Sequence, residues 1–326
     1  NTNYDTIQAA IDDAVNGQTI IVCPGTYYEN LLINNKNITL KSSDSLNPTI
    51  IDGGNSGSVV QFTGGDTSTL QGFTIQNGSA DNGGGIYVYE SSPTIEKNKI
   101  MNNTSTYGGG ISVESSYLNY TTTTITGNTI SGNTATYGGG GIYAWDDCSA
   151  IISGNTISGN SAIGNGGGGG ISMFNYANPD QTSIIENNTI TGNTAAVGGG
   201  IRIDNRVFII TGNTIEYNTV NSVGGSGGGI FVGLSPYVSS SGEIINNVIS
   251  YNEAIDSNGG GISVSGPGEP SLANLTINGN TISYNKVSGN NYGELWVNGG
   301  GIAVSAYCSP TITNNKIFYN TAGYFC

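Results

Sequence analysis

The sequence predicts an all-β chain folded as a single right-handed parallel β-helix, a solenoid of about ten coils with a short helix capping its start. Three observations carry this. A Gly-Gly-Gly-Ile block recurs with its isoleucine at Ile86, Ile111, Ile142, Ile171, Ile201, Ile230, Ile262 and Ile302. An Ile-x-x-Asn-x-Ile-x-x-Asn segment, such as Ile125 to Asn133, recurs eight times between those blocks. Finally, 53 of 326 residues are glycine and only 9% are charged, a composition that suits a repeat needing glycine at fixed corners.

The first element in chain order is a helix. Thr6 to Val15 places Ile7, Ala10, Ile11 and Ala14 on one helical face, and Asn16-Gly17 supplies a stop. Residues 1–18 therefore read as a capping segment that hides the strand edges of the first coil. Residues 19–326 read as the β-helix, with irregular coils over 19–82 and repeat coils over 83–326. In the irregular part, QTIIV, NLLI, NITLKS, PTIID, SVVQF and TLQGFTI are strand-like runs, enough for two coils.

In the repeat coils, each Gly-Ile isoleucine is followed two residues later by an apolar residue: Val88, Val113, Ala144, Met173, Ile203, Val232, Val264 and Val304. A period of two means strand. The two isoleucines of the Ile-x-x-Asn segment are an odd number apart, so a straight strand would send them to opposite faces. A bend must lie between them. Asparagine tolerates the left-handed conformation of such a bend, which assigns Asn98, Asn128, Asn155, Asn188, Asn213, Asn247, Asn280 and Asn315 to one corner. Asn103, Asn133, Asn160, Asn193, Asn218, Asn252, Asn285 and Asn320 mark the next, and the glycine run makes the third. Each coil is thus expected to hold three strands and three corners, with isoleucines stacked in the core and asparagines in ladders.

The opening TIQAAIDDAVNGQTIIVCPGTYYENLLI, with NITLKS and PTIIDGG, resembles the amino-terminal part of the pectin-lyase-like right-handed parallel β-helix superfamily. The later alternation of GGGI with Ile-x-x-Asn is similar to the GG-x-I and F-x-x-N repeats of polymorphic outer membrane protein adhesins, with Ile in place of Phe. The resemblance implies the fold and leaves function open, because the superfamily holds lyases, hydrolases, esterases, adhesins and phage tailspikes.

A net charge of -14 leaves no basic stripe for nucleic acid. No apolar run is long enough to span a bilayer, and the Asn-, Thr- and Gly-rich composition suits an exported protein at the cell surface or outside the cell. Histidine is absent and no metal-ligand spacing stands out, so neither a metal nor a cofactor is expected. The adjacent Asp146 and Asp147 point to opposite faces if they lie in a strand. Arg202, Asp204 and Arg206 share parity and are the candidates for lyase chemistry, against a solvated surface pair. Glycine runs such as Gly166 to Gly170 lead into strands and read as corners, not phosphate loops.

Aromatic residues carry the sharper signal. Tyr87 and Tyr89, Tyr143 and Trp145, and Phe174 fall at outward positions of the Gly-Ile strands, where rings could bind sugars or simply brace the sheet. Tyr217, Tyr251, Tyr284 and Tyr319 form a second column at a corner. Among the cysteines, Cys308 with Cys326 is the one internal pairing expected, or Cys326 with Cys23 of a neighbour in a head-to-tail filament. These features favour a non-enzymatic, adhesive or structural solenoid, with a carbohydrate-active enzyme, a polysaccharide lyase on uronate polymers, as the alternative.

Overall fold

The computed structural model of the chain describes residues 3–44, 46–116, 119–164, 166–175, 181–234, 241–266, 274–289, 299–305 and 308–323. Every strand-to-strand pairing in it is parallel, and each strand pairs with its counterpart one coil away. The expected solenoid is therefore present. Its strands form four sheets where three were expected. Sheet A runs from Thr19–Val22 to Thr311–Thr313 in eleven strands, and sheet B from Gly25–Tyr27 to Lys316–Phe318 in eleven. Sheet C, the Gly-Ile sheet, runs from Leu31–Asn34 to Ile302–Val304 in ten. Sheet D runs from Ser79–Asn82 to Thr321–Ala322 in nine. At the usual strand separation the stack is about 50 Å long.

Sheet D is the element the repeat did not announce. Several of its strands are two residues long, such as Thr134–Ala135 and Ser161–Ala162, and send only one small side chain inward. Ala135, Ala162, Ala195, Val220, Ala254 and Val287 are all buried there. One small inward residue makes no period, so the segment reads as a corner.

The core follows the isoleucine register. Ile100, Ile130, Ile157, Ile190, Ile215, Ile249 and Ile282 are fully buried in sheet B, and Ile86, Ile111, Ile142, Ile171, Ile201, Ile230 and Ile262 in sheet C. Between sheets A and B the left-handed residue is not the repeat asparagine but the one before it, for example Lys97 (φ 54°), Asn187 (φ 55°) and Asn246 (φ 56°). The asparagine itself turns inward. Asn160 is 1% exposed; its Nδ2 donates to the Ile130 carbonyl at 2.9 Å and to Asn193 Oδ1 at 3.0 Å. Its main-chain N–H donates to the same Asn193 oxygen. The pattern repeats along both asparagine columns, so the bend comes from its neighbour and the asparagine satisfies the buried main chain.

Glycine at the entrance to sheet C is required by close approach. A Cβ on Gly141 would lie 2.6 Å from the Gly170 carbonyl oxygen of the next coil and 3.2 Å from Asn160 Nδ2. The cap helix is Ile7–Asp13, shorter at both ends than expected, with Thr6 Oγ1 accepting from the Ala9 N–H. First-coil side chains clamp both helix ends. The Glu29 carboxylate accepts from the Ile7 and Gln8 N–H groups, and Lys36 Nζ donates to the carbonyls of Ile11, Asp12 and Ala14. Acid at the helix start and ammonium at its end complement the helix dipole. Among the described residues no helix is long and apolar enough to cross a membrane.

Candidate functional site

Sheet C presents its outer face as two columns of side chains in register. One contains Tyr87, Ser112, Tyr143, Ser172, Arg202 and Phe231; the other contains Tyr89, Glu114, Trp145, Phe174, Asp204 and Gly233. Such positions in a solenoid are ordinarily open to water. Here Ser112 is 0% exposed, Glu114 8% and Tyr143 7%, because neighbouring side chains close over them.

The covering groups come from the corner before sheet C. Tyr107 ends the sheet D strand Thr104–Tyr107, and its ring lies 5.4 Å from that of Tyr143 at 28° and 6.2 Å from that of Trp145. Tyr137 joins it at 6.3 Å, and Tyr143 and Trp145 are 6.3 Å apart. One coil before Glu114, Tyr87 and Tyr89 stack at 6.2 Å and 26°. The five expected aromatics therefore share a face, but not one exposure. Tyr143 is buried, Tyr87, Trp145 and Phe174 are half-buried, and Tyr89 and Tyr137 are the open rings.

Glu114 lies between these two aromatic groups. Its Oε1 accepts from Ser112 Oγ at 2.9 Å, and its Oε2 accepts from the Tyr87 hydroxyl at 3.1 Å and Asn82 Nδ2 at 3.3 Å. Burial pushes the Glu114 carboxyl above the usual glutamate range, the charge of Asp146 adds to the rise, and the Ser112 and Tyr87 hydrogen bonds oppose it. Burial, then the charge of Glu114, raises Tyr87 as well. Asp146 follows Trp145, the register partner of Glu114, and takes the left-handed conformation (φ 59°) at the corner between sheets C and A. Burial and then Asp147 raise Asp146, while the positive charge of Arg206 acts against that rise.

Arg202, Asp204 and Arg206 do not face the same way. Arg202 Nε and Asp204 Oδ2 pair at 2.5 Å, and the guanidinium lies over the Phe231 ring at 5.7 Å. Gly233 makes room for this pair, since a Cβ there would lie 2.0 Å from Asp204 Oδ1. Burial raises Asp204 and Arg202 lowers it. Asn205 (φ 54°) turns the chain, so parity fails across it and Arg206 points into the wall at 1% exposure. The Arg206 guanidinium donates to the carbonyls of Cys148, Asp146 and Phe174, tying two neighbouring coils to its own. It is a strut, not a base on the surface. Asp147 likewise leaves the strand geometry assumed for it: it follows the left-handed Asp146 and is 2% exposed.

Cys23 is exposed, Cys308 half-buried and Cys148 fully buried, all as free thiols; Cys326 lies outside the described residues. Among the described residues no three His, Cys, Asp or Glu side chains cluster to hold a metal. The tyrosine column is present at its corner. Tyr217, Tyr251, Tyr284 and Tyr319 stack at 5.1, 4.9 and 5.1 Å, each with φ near 55°. Stacked rings cover one another's faces, so this column offers edges and hydroxyls and braces the corner.

Sequence reasoning missed Glu114, Tyr107 and Asn82. A signal existed for two of them. Glu114 holds the repeat position that carries Tyr89, Trp145 and Phe174 in other coils, and Tyr107 and Tyr137 both stand in Thr-Tyr-Gly-Gly-Gly.

The sequence pattern of a family described as "Right handed beta helix region" matches residues 23–157, 58–245 and 138–317. No curated protein matches the chain. Solved structures also match the chain. An alginate lyase from Paenibacillus sp. str. FPU-7 is 15% identical, with 95% of this chain and 96% of that chain covered and a TM-score of 0.40. The catalytic unit of a thermostable GH87 alpha-1,3-glucanase from Streptomyces thermodiastaticus strain HF3-3 is 13% identical, with 98% and 67% covered and a TM-score of 0.46. A PL6 family polysaccharide lyase, Pedsa3628 from Pseudopedobacter saltans, is 14% identical, with 95% and 90% covered and a TM-score of 0.31.

Proposed function

The chain belongs to the right-handed β-helix family, a fold that leaves function to its surface side chains, and on that premise we propose a carbohydrate-active protein that binds a polysaccharide on sheet C and hydrolyses it. The observation that carries this reading is the Glu114 carboxyl, buried among aromatic rings, held by Ser112, Tyr87 and Asn82, and raised toward its protonated form. A proton donor for a glycosidic oxygen needs those properties at once: a fixed position, a raised affinity for its proton, and flat rings beside it for sugar to lie on.

In the proposed reaction Glu114 gives its proton to the bridging oxygen as the bond to the anomeric carbon breaks. Asp146 takes a proton from the water that adds to that carbon. The products are two shorter glycans, one with a new reducing end. Arg206 supports the second role by holding the Asp146 main chain and placing a positive charge behind it.

The test is release of reducing ends from a panel of soluble polysaccharides by wild type, Glu114→Gln and Asp146→Asn. Loss of about 100-fold or more in rate for Glu114→Gln is expected. Unsaturated, ultraviolet-absorbing products would instead indicate elimination by a lyase. Binding without any product would indicate an adhesive solenoid using the same face, and either result, or full activity in Glu114→Gln, overturns the proposal.

A further inference from the structure

We infer that the polysaccharide taken by sheet C is uncharged, and that polyuronates are excluded. This rests on the reading of sheet C as a glycan face and adds the substrate class to it. Every cation in the chain is accounted for elsewhere or already engaged. There are eight Lys and Arg residues: Lys36, Lys41, Lys97, Lys99, Arg202, Arg206, Lys286 and Lys316. Lys36 is spent on the carbonyls at the end of the cap helix. Lys41 stands in sheet A, Lys97 at the corner after it, Lys99 and Lys316 in sheet B, and Lys286 in sheet D, where it pairs with Glu253 at 3.1 Å.

Only Arg202 and Arg206 remain for sheet C, and both are engaged. Arg202 is paired with Asp204 and stacked on Phe231, and Arg206 is turned into the wall against main-chain carbonyls. Among the described residues, the acidic side chains along the same face and its corner are Glu90, Glu114, Asp146, Asp147 and Asp204. A polyuronate brings a carboxylate on every sugar. Each would meet the like charge of Glu90 and Asp146, Glu114 being the proton donor and Asp204 being paired with Arg202, with no open guanidinium or ammonium to receive it, and recognition of carboxylates depends on such donors. Neutral sugars meet no such penalty. Their C–H faces suit the flat rings of Tyr89 and Trp145, and their hydroxyls suit the carboxylates as acceptors.

The experiment is binding of wild type and Glu114→Gln to soluble neutral glucans and xylans, polygalacturonate, alginate and chitosan, by affinity electrophoresis at low and high salt. At least one neutral polymer is expected to bind with an affinity that salt changes less than twofold. Polyuronates should bind at least tenfold more weakly at low salt. Equal or tighter binding of a polyuronate, retention of chitosan above every neutral polymer at high salt, or no neutral binding at all would overturn the inference. Failure of the catalytic reading looks different: wild type and Glu114→Gln would both bind a neutral polymer and neither would cleave it. Cleavage of polygalacturonate by wild type and not by Glu114→Gln would keep Glu114 as a catalytic residue and remove the substrate class.

Discussion

Replacing Asn160 with alanine in a middle coil tests the ladder that closes the wall between sheets B and D. The Asn160 Oδ1 accepts from the main-chain N–H and the Nδ2 of Asn133, both at 3.0 Å, and its Nδ2 donates to the Ile130 carbonyl and to Asn193 Oδ1. Alanine keeps one rung, because its own N–H still reaches Asn193 Oδ1. Asn133 Nδ2 also keeps the Ile100 carbonyl. The Asn133 N–H loses its acceptor in a dry site, at about 2 kcal/mol, and the lost donor to the Ile130 carbonyl adds about 1 kcal/mol, for about 3 kcal/mol in all. Asn320→Ala is the control. That side chain holds the same place in the final described coil and is half-buried, so water replaces its bonds and the cost is about 1 kcal/mol. Urea unfolding followed by circular dichroism gives both values if the slope is unchanged. An Asn160→Ala cost no larger than that of Asn320→Ala would refute the account of the ladder as buried main-chain satisfaction.

Three other perturbations test the core, the corner and the site. Ile157→Asp puts a carboxylate at a position with 0% exposure and no cation near it in its column, so several kcal/mol and cooperative unfolding are expected to be lost; an unchanged melting temperature would refute the register. Tyr284→Ala removes two ring stacks, at about 1 kcal/mol each, and leaves a non-glycine residue at φ 57°, whereas Tyr284→Gly loses the stacks but relaxes the backbone. The glycine variant should therefore be the more stable by about 1 kcal/mol in thermal unfolding, and the reverse order would refute the strain argument.

For Glu114 the sign follows from its raised carboxyl: the native state holds that proton more tightly than the unfolded chain, so its contribution is complete below the ordinary value of 4.5 and is lost as pH rises through the native value. Glu114→Gln should thus gain stability relative to wild type as pH rises through that window. A difference in melting temperature that is flat with pH would refute the shift.

The repeat made the solenoid legible because a coil is a local object. Isoleucines directly after the glycines, apolar residues two further on, and asparagines at fixed offsets state which side chains point inward without reference to anything distant. The same locality explains what went unread. Sheet D strands such as Ser161–Ala162 contribute one small inward side chain each and leave no period. The bend before each asparagine rests on whichever residue precedes it, whether Gly127, Asn187 or Lys97, so the variable position carried the conformation while the constant one carried the hydrogen bonds.

The sequence by itself determined the inward columns, the cap helix and the aromatic character of the sheet C face, all of which follow from short-range periodicity. Tertiary structure alone decided the chemistry of that face. Glu114 and Tyr87 are 27 residues apart and meet only because one coil stacks on the next, and Tyr107 reaches Tyr143 only across the corner between sheets D and C. Parity failed at Asn205, where a left-handed residue sent Arg206 inward to hold two neighbouring coils. A buried carboxyl owes its raised hold on a proton, and a buried guanidinium its partners, to residues one or two coils away, and that distance in space is set by stacking, which no window of the sequence contains.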